Sequence, residues 1–152
     1  MYLTKIPEIV PFKAEHYTAL FDKYYVMRHG LDPNAVGRVF EEMGPAFSGF
    51  YQGKLLACGG VVIPWTGLGE AWCAVSRDIH LLGAMATFVR MEQIFKSIIS
   101  ENHLRRVHAD VDAGNRQSMK FVEHLGFKPE FKMYQFGPNG ETYIRYVLFT
   151  GE

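Results

Sequence analysis

Cysteine is scarce. The 152 residues hold only Cys58 and Cys73, and neither sits in a C-x-x-C pair or a Cys/His cluster of metal-ligand spacing, which argues against a structural zinc or any other metal site. Charge of one sign is not in excess either. Lys and Arg number 16 against 16 Asp and Glu, so no net field draws the chain to nucleic acid or to an anionic membrane surface. No apolar run approaches the roughly 20 residues that span a bilayer. The opening Met1-Tyr2-Leu3-Thr4-Lys5-Ile6-Pro7 does not read as a charged segment followed by an apolar one. The expectation is therefore a cytoplasmic protein with both thiols reduced and no membrane or nucleic-acid partner. Repeats, low-complexity tracts and linkers are missing too, which predicts a single domain over residues 1–152.

What is present is enough for a core. Apolar residues make up 48% of the chain and charged residues 21%, a balance that folds at this length without disulfide or metal staples. The most informative stretch is Asp110 to Phe127, D-V-D-A-G-N-R-Q-S-M-K-F-V-E-H-L-G-F. Asn115 is a residue type that caps a helix start, and Gly126 one that ends a helix in the left-handed conformation. Between them Ser118, Phe121, Val122 and Leu125 share a face, while Arg116, Lys120 and Glu123 fall elsewhere, which predicts a short amphipathic helix. Upstream, Arg106 to Asp112 alternates strictly. Val107, Ala109 and Val111 fall on one side and His108, Asp110 and Asp112 on the other, as in a half-buried strand.

Taken from the start, residues 8–12 read as a short strand and Ala14 to Met27 as a helix with an aromatic stripe from Tyr17, Leu20, Phe21, Tyr24 and Tyr25, read as core. Asp32-Pro33 opens a second helix, with Asp32 as cap and Pro33 in the first turn, through Val36, Val39 and Phe40 to about Met43. Gly44-Pro45 stops it. Strands follow at Ala46–Tyr51, Leu55–Ile63 and Glu70–Ser76, an antiparallel meander in which Gly59-Gly60 marks a bulge or a close backbone approach. Across its second hairpin the two thiols are expected to be neighbours. Leu81 to Ser100 is the longest helical pattern, with Asp78 as a candidate cap. It joins the strand before it to the strand at 105–112, a β-α-β crossover that requires those strands to be parallel. A last hairpin, Phe131–Phe136 and Thr142–Phe149, turns around Gly137-Pro138-Asn139-Gly140.

The order β-α-α-β-β-β-α-β-α-β-β predicts an α/β domain with a mixed sheet. With Asn115 to Phe127, N-x-x-S-x-x-F-V-x-x-x-G-F, it resembles the GCN5-related N-acetyltransferase superfamily over nearly the whole chain; the family's helix reads N-x-x-A-x-x-L-Y-x-x-x-G-F. The small form also resembles acetyltransferase-like proteins of tailed bacteriophages. The resemblance implies acetyl transfer from acetyl-CoA to a primary amine, in a V-shaped splay between the two parallel strands. It implies pantetheine on the backbone of Ala74, Val75 and Ser76 and pyrophosphate at the start of the central helix. The family's Q/R-x-x-G-x-G/A falls on His80-Leu81-Leu82-Gly83-Ala84-Met85, where Gly83 matches and Met85 puts a long side chain in place of a small one. His80, Leu82, Gly83, Ala84 and Met85, with Asn115 and Ser118, are thus the remaining candidates for holding acetyl-CoA or CoA.

For the base, the resemblance points to Asp110, which lies where ribosomal-protein N-terminal acetyltransferases carry the Glu of E-V-x-x-x-N. Glu70 on the neighbouring strand is the second choice. Asp110 paired to an arginine is the plain alternative. The family's tyrosine acid is Val122 here, leaving Tyr134, Tyr143 or water to protonate the thiolate. The acceptor side would involve Glu41, Glu42, His29, Tyr134 and Arg145, with a small-molecule or peptide amine as partner. An exposed terminal hairpin also offers an edge to a second copy in a homodimer. The competing expectation is a binding or structural protein that keeps this fold and has lost its cofactor.

Overall fold

The computed structural model describes residues 6–21, 32–81 and 84–151. Among them the chain runs β1 (Glu8–Pro11), α1 (Ala14–Ala19), α2 (Pro33–Glu42), β2 (Ala46–Tyr51), β3 (Lys54–Trp65), β4 (Leu68–Val75), a 3₁₀ turn (Arg77–Leu81), α3 (Ala84–Glu101), β5 (Arg106–Asp112), α4 (Arg116–His124), β6 (Lys128–Met133) and β7 (Tyr143–Phe149). The seven strands make one sheet in the order β1-β2-β3-β4-β5-β7-β6. All neighbours are antiparallel except β4 and β5, which are parallel and joined through α3. This is the mixed α/β architecture the element order predicts.

Local chemistry accounts for the ends. Asp32 accepts a hydrogen bond from the Asn34 N–H at 3.0 Å, and Pro33 occupies the first turn of α2. Asn115 accepts from the Ser118 N–H at 3.0 Å to start α4. Gly126 follows that helix at φ +99°, a conformation that costs other residues strain. The glycine pair in β3 is there for contact. A Cβ on Gly60 would lie 2.6 Å from the Ala46 Cβ, and one on Gly59 would lie 2.9 Å from the Trp72 carbonyl oxygen.

One face of the sheet carries the main core, where Val61, Val107, Ala109, Val111 and Tyr146 pack against Ile98 of α3 and Val122 of α4. On the other face Phe12, Cys58 and Ala74 pack with Tyr17, Phe40 and Trp72.

Several boundaries differ from expectation. β3 runs on through Pro64 to Trp65, because a register irregularity between Val62 and Trp65 spares Pro64 a ladder bond and a two-residue turn at Thr66-Gly67 suffices. The central helix starts at Ala84 rather than Leu81, since residues 77–81 form the 3₁₀ turn. Asp78 is not a cap. Its own N–H donates to the Ser76 hydroxyl at 3.0 Å. The thiols are near each other, as expected, on adjacent rungs, and Cys73 adds to the burial that raises the Cys58 pKa; since Cys58 stands opposite Ala74 and Cys73 opposite Gly59, alternation sends them to opposite faces. The helix expected to reach Met27 is described only to Ala19; Tyr24, Tyr25 and His29 lie outside the described residues. Among the described residues no helix is long and apolar enough to cross a membrane, and no group of three His, Cys, Asp or Glu residues could hold a metal ion.

Candidate functional site

The parallel strands part. β4 and β5 pair at Leu68–Arg106, Gly69–Val107 and Glu70–His108, and the ladder stops there. Beyond it Ala71–Val75 continue to pair with β3 alone, and Ala109–Asp112 with β7 alone. Each strand therefore turns one edge of backbone N–H and C=O groups toward the gap, and such groups need partners if water is kept away. A cleft of about 450 Å³ fills the gap, lined among others by Ala71, Trp72, Ala74, Val75, Ala109 and Asp110. Ala71 and Ala74 on β4 and Ala109 on β5 leave backbone within reach. Asn115 and Ser118 line the same cleft, as do Phe121 and Val122 of α4. An extended ligand rich in amides fits this opening, because it can pair with both free edges.

A second hollow, beside the last paired rung, is ionic: Glu70, Arg106, His108 and Arg145 line it with Leu68. Glu70 Oε1 lies 3.4 Å from Nε2 of His108, whose side chain is 8% exposed against 50% for Glu70. One same-face step along β5, Asp110 is gripped by Arg145 of β7: Nε donates to Oδ1 at 2.8 Å and a terminal nitrogen to Oδ2 at 2.9 Å. That fork raises the Arg145 pKa above its ordinary value. Arg106 is forked onto Glu130 in the same way, and the two arginines sit over Phe149 and Phe131. Burial holds the His108 imidazole below its ordinary range, and the Arg145 charge adds to this, while Glu70 and Asp110 pull the other way.

The candidates predicted from sequence divide as follows. Ala74, Val75, Asn115, Ser118 and Asp110 meet at the cleft. Glu70 stands on the last rung before the parting and lines the neighbouring ionic hollow, not the cleft. Ser76 is engaged locally, its N–H on the Leu56 carbonyl and its hydroxyl on the Asp78 N–H. Leu82 and Gly83 lie outside the described residues, as do the side chains of His80, Ala84 and Met85. Tyr134 is not gathered into the site; it projects from the turn after β6, 74% exposed. Tyr143 lines the cleft instead. Glu41 and Glu42 are exposed on α2. Val122 packs in the main core and also borders the cleft, and a valine has no hydroxyl to donate there.

Sequence reasoning missed His108 and Trp72. His108 falls on the polar side of an alternating strand, yet it is buried, 6% exposed. Trp72 is stacked on Phe40, with ring centroids 3.9 Å apart and planes 9° apart. The available signal was composition: a histidine and a tryptophan on the two strands that part.

No family model and no curated protein sequence matches the chain. Solved structures do. A spermidine N-acetyltransferase from Vibrio cholerae, in complex with CoA and spermine, superposes with a TM-score of 0.72 at 9% identity, over 94% of this chain and 95% of that one. An acetyltransferase of the GNAT family from Streptococcus pneumoniae does so with a TM-score of 0.69 at 10% identity, over 96% of this chain and 100% of that one. The chain therefore has the fold of the GNAT acetyltransferases, as its element order and Asn115 motif led one to expect.

Proposed function

We propose that this chain is an acetyl-CoA-dependent N-acyltransferase that moves an acetyl group directly to a primary amine. The observation that carries the reading is the parting of β4 from β5 after Glu70 and His108, which leaves two backbone edges facing a cleft. The fold neighbours support it, since one of them is an acetyltransferase in complex with CoA. The free edges of Ala71–Val75 and Ala109–Asp112 would hold the amide-rich arm of the acyl donor. Asn115 and Ser118 would line its path. The donor supplies an acetyl group already activated as a thioester.

The chain's own residues divide the remaining work. Asp110 spends both oxygens on Arg145, so its part is to fix that cation beside the opening. Glu70, beside His108 on the last rung and half exposed, is the carboxylate that keeps surface for an incoming ammonium. Tyr143 lines the cleft and can donate to a departing thiolate. A thiolate needs little such help, and acid catalysis supplies about 10²- to 10⁴-fold where it operates. The acceptor would be a small-molecule or peptide amine, spermidine being the compound named for one neighbour.

Calorimetric titration with acetyl-CoA and CoA, followed by thiol release on addition of amines, tests this reading. Binding in the micromolar range with amine-dependent thiol release is expected; failure of both nucleotides to bind at millimolar concentration would refute it. A second reading, a binding protein on the same fold, draws on Val122 in the core where the resembling family has tyrosine and on the capture of Asp110 by Arg145. Amine-dependent turnover excludes that reading.

A further inference from the structure

The cleft passes through the sheet. Once β4 and β5 have parted, side chains from both faces line it: Tyr17, Phe21, Trp72 and Ala74 from the face that carries α1, Ile98 and Val111 from the face that carries α3 and α4. Asn115 and Ser118, which would line the donor's path, belong to the start of α4. The donor therefore takes the side of α3 and α4, and the α1 side is left for the acceptor.

The wall on the α1 side is aromatic. Tyr17 and Phe21 belong to the stripe read from the sequence as core, yet they and Trp72 are only half-buried, so each keeps surface that a ligand can cover. Their rings are held by one another. Trp72 is stacked on Phe40 at 3.9 Å with Phe12 edge-on at 5.1 Å, and Tyr17 stands 6.0 Å from Trp72 and 4.6 Å from Phe21, centroid to centroid. A wall fixed by its own packing loses little entropy when a ligand arrives. An aromatic ring laid against it gains both buried area and ring–ring contact.

Negative charge at the cleft is scarce and mostly committed. Among the described residues the carboxylates that line it are Asp110 and Asp112. Asp110 has both oxygens on Arg145, and Asp112 Oδ1 accepts the Gly114 N–H at 2.8 Å. Glu70 lines the neighbouring hollow beside His108, and Arg90 brings a cation to the cleft itself. That provides for one ammonium. A polyamine carries several, and each one taken from water without a carboxylate is penalised.

We propose that the acceptor is a single primary amine carried on an aromatic body, and that Tyr17, Phe21 and Trp72 are the residues that select it over a polyamine. The proposal rests on the amine-acylation reading above and names its substrate class. In the step, the amine nitrogen forms the C–N bond at the acetyl carbon, and the C–S bond breaks with its electron pair on sulfur. Of the two protons the ammonium gives up, one ends on that sulfur and the other in solvent.

Thiol release from acetyl-CoA with phenethylamine, butylamine or spermidine tests the class. Phenethylamine should exceed each of the others in kcat/KM by about 10- to 100-fold, the factor expected from covering one aromatic ring. Spermidine or butylamine used as well as phenethylamine overturns the proposal. A readout without turnover comes from Trp65→Phe, at an exposed residue of the other hollow, which leaves Trp72 as the one tryptophan of the chain. With CoA bound, phenethylamine should change the Trp72 emission saturably and spermidine should not; emission unmoved by phenethylamine counts against the wall. Phe21→Ala should raise KM for phenethylamine about 10-fold and leave acetyl-CoA affinity and spermidine turnover unchanged, whereas an equal loss for both amines contradicts a selective role. Should F21A fail to fold, Phe21→Leu carries the same test with a smaller loss of the same sign. Failure of the wild type to bind acetyl-CoA sinks the acylation reading itself, while binding and turnover with spermidine preferred sink only the aromatic class.

Discussion

β5 is held differently by its two neighbours. β7 pairs with it along its whole length, Arg106 to Asp112, while β4 pairs only from Arg106 to His108. At the paired end Val107 is fully buried and is backed by Leu104 and Ile98. At the parted end the backbone edges face a cleft, and among the described residues the buried Trp72 Nε1 goes unpartnered. The same pair of strands thus supplies stability at one end and chemistry at the other. Hydrophobic packing does not need the ladder to continue past Glu70, so the opening can be kept for a ligand.

The largest effect should come from the paired end. Ile98→Ala, at a residue 3% exposed, is expected to cost about 2–5 kcal/mol of unfolding free energy, read from urea melts. A matching truncation at the mouth, Val75→Ala, at an exposed side chain, should stay within about 0.5 kcal/mol. Equal losses at the two sites would erase the contrast. Breaking the Asp110–Arg145 fork should fall between them. Both side chains are about a quarter exposed, so Asp110→Asn is expected to cost about 1 kcal/mol or less, with the difference from wild type shrinking in high salt.

Acidification probes the last paired rung. The folded protein holds His108 below its ordinary range, so below about pH 6.5 the unfolded chain takes up a proton that the native ring resists. Stability should therefore fall as pH drops through that window, and the fall should be smaller in His108→Gln, as thermal melts from pH 7.5 to 5 would reveal. The smallest effect is expected from Tyr134→Phe. At a side chain so exposed and outside the cleft, neither stability nor thiol release should change beyond error; a large loss of turnover would return Tyr134 to the site.

How much of this was legible depended on how local the cause was. The Asp32 and Asn115 caps, Gly126 and the alternation of Val107, Ala109 and Val111 rest on neighbours a few residues away, and they can be read along the chain. The crossover could be read too, because a strand, helix and strand in succession force parallel pairing. The insertion of β7 between β5 and β6 could not, since nothing in 128–149 states which edge is free. Nor could the site's partners. Asp110 meets Arg145 across 35 residues of sequence, and His108 meets Glu70 only because of the register at the last rung. Alternation alone assigned His108 to the polar side; the arrangement of neighbouring strands buried it.

The central claim is that the parted edges of β4 and β5 hold an acyl donor, and backbone amide NMR during titration with CoA tests it most directly. The account predicts shift changes concentrated at Ala71–Val75 and Ala109–Asp112, with Leu68 and Gly69 on the paired end little moved. Saturating CoA that leaves the parted amides unshifted, or that perturbs only residues away from the opening, would contradict it.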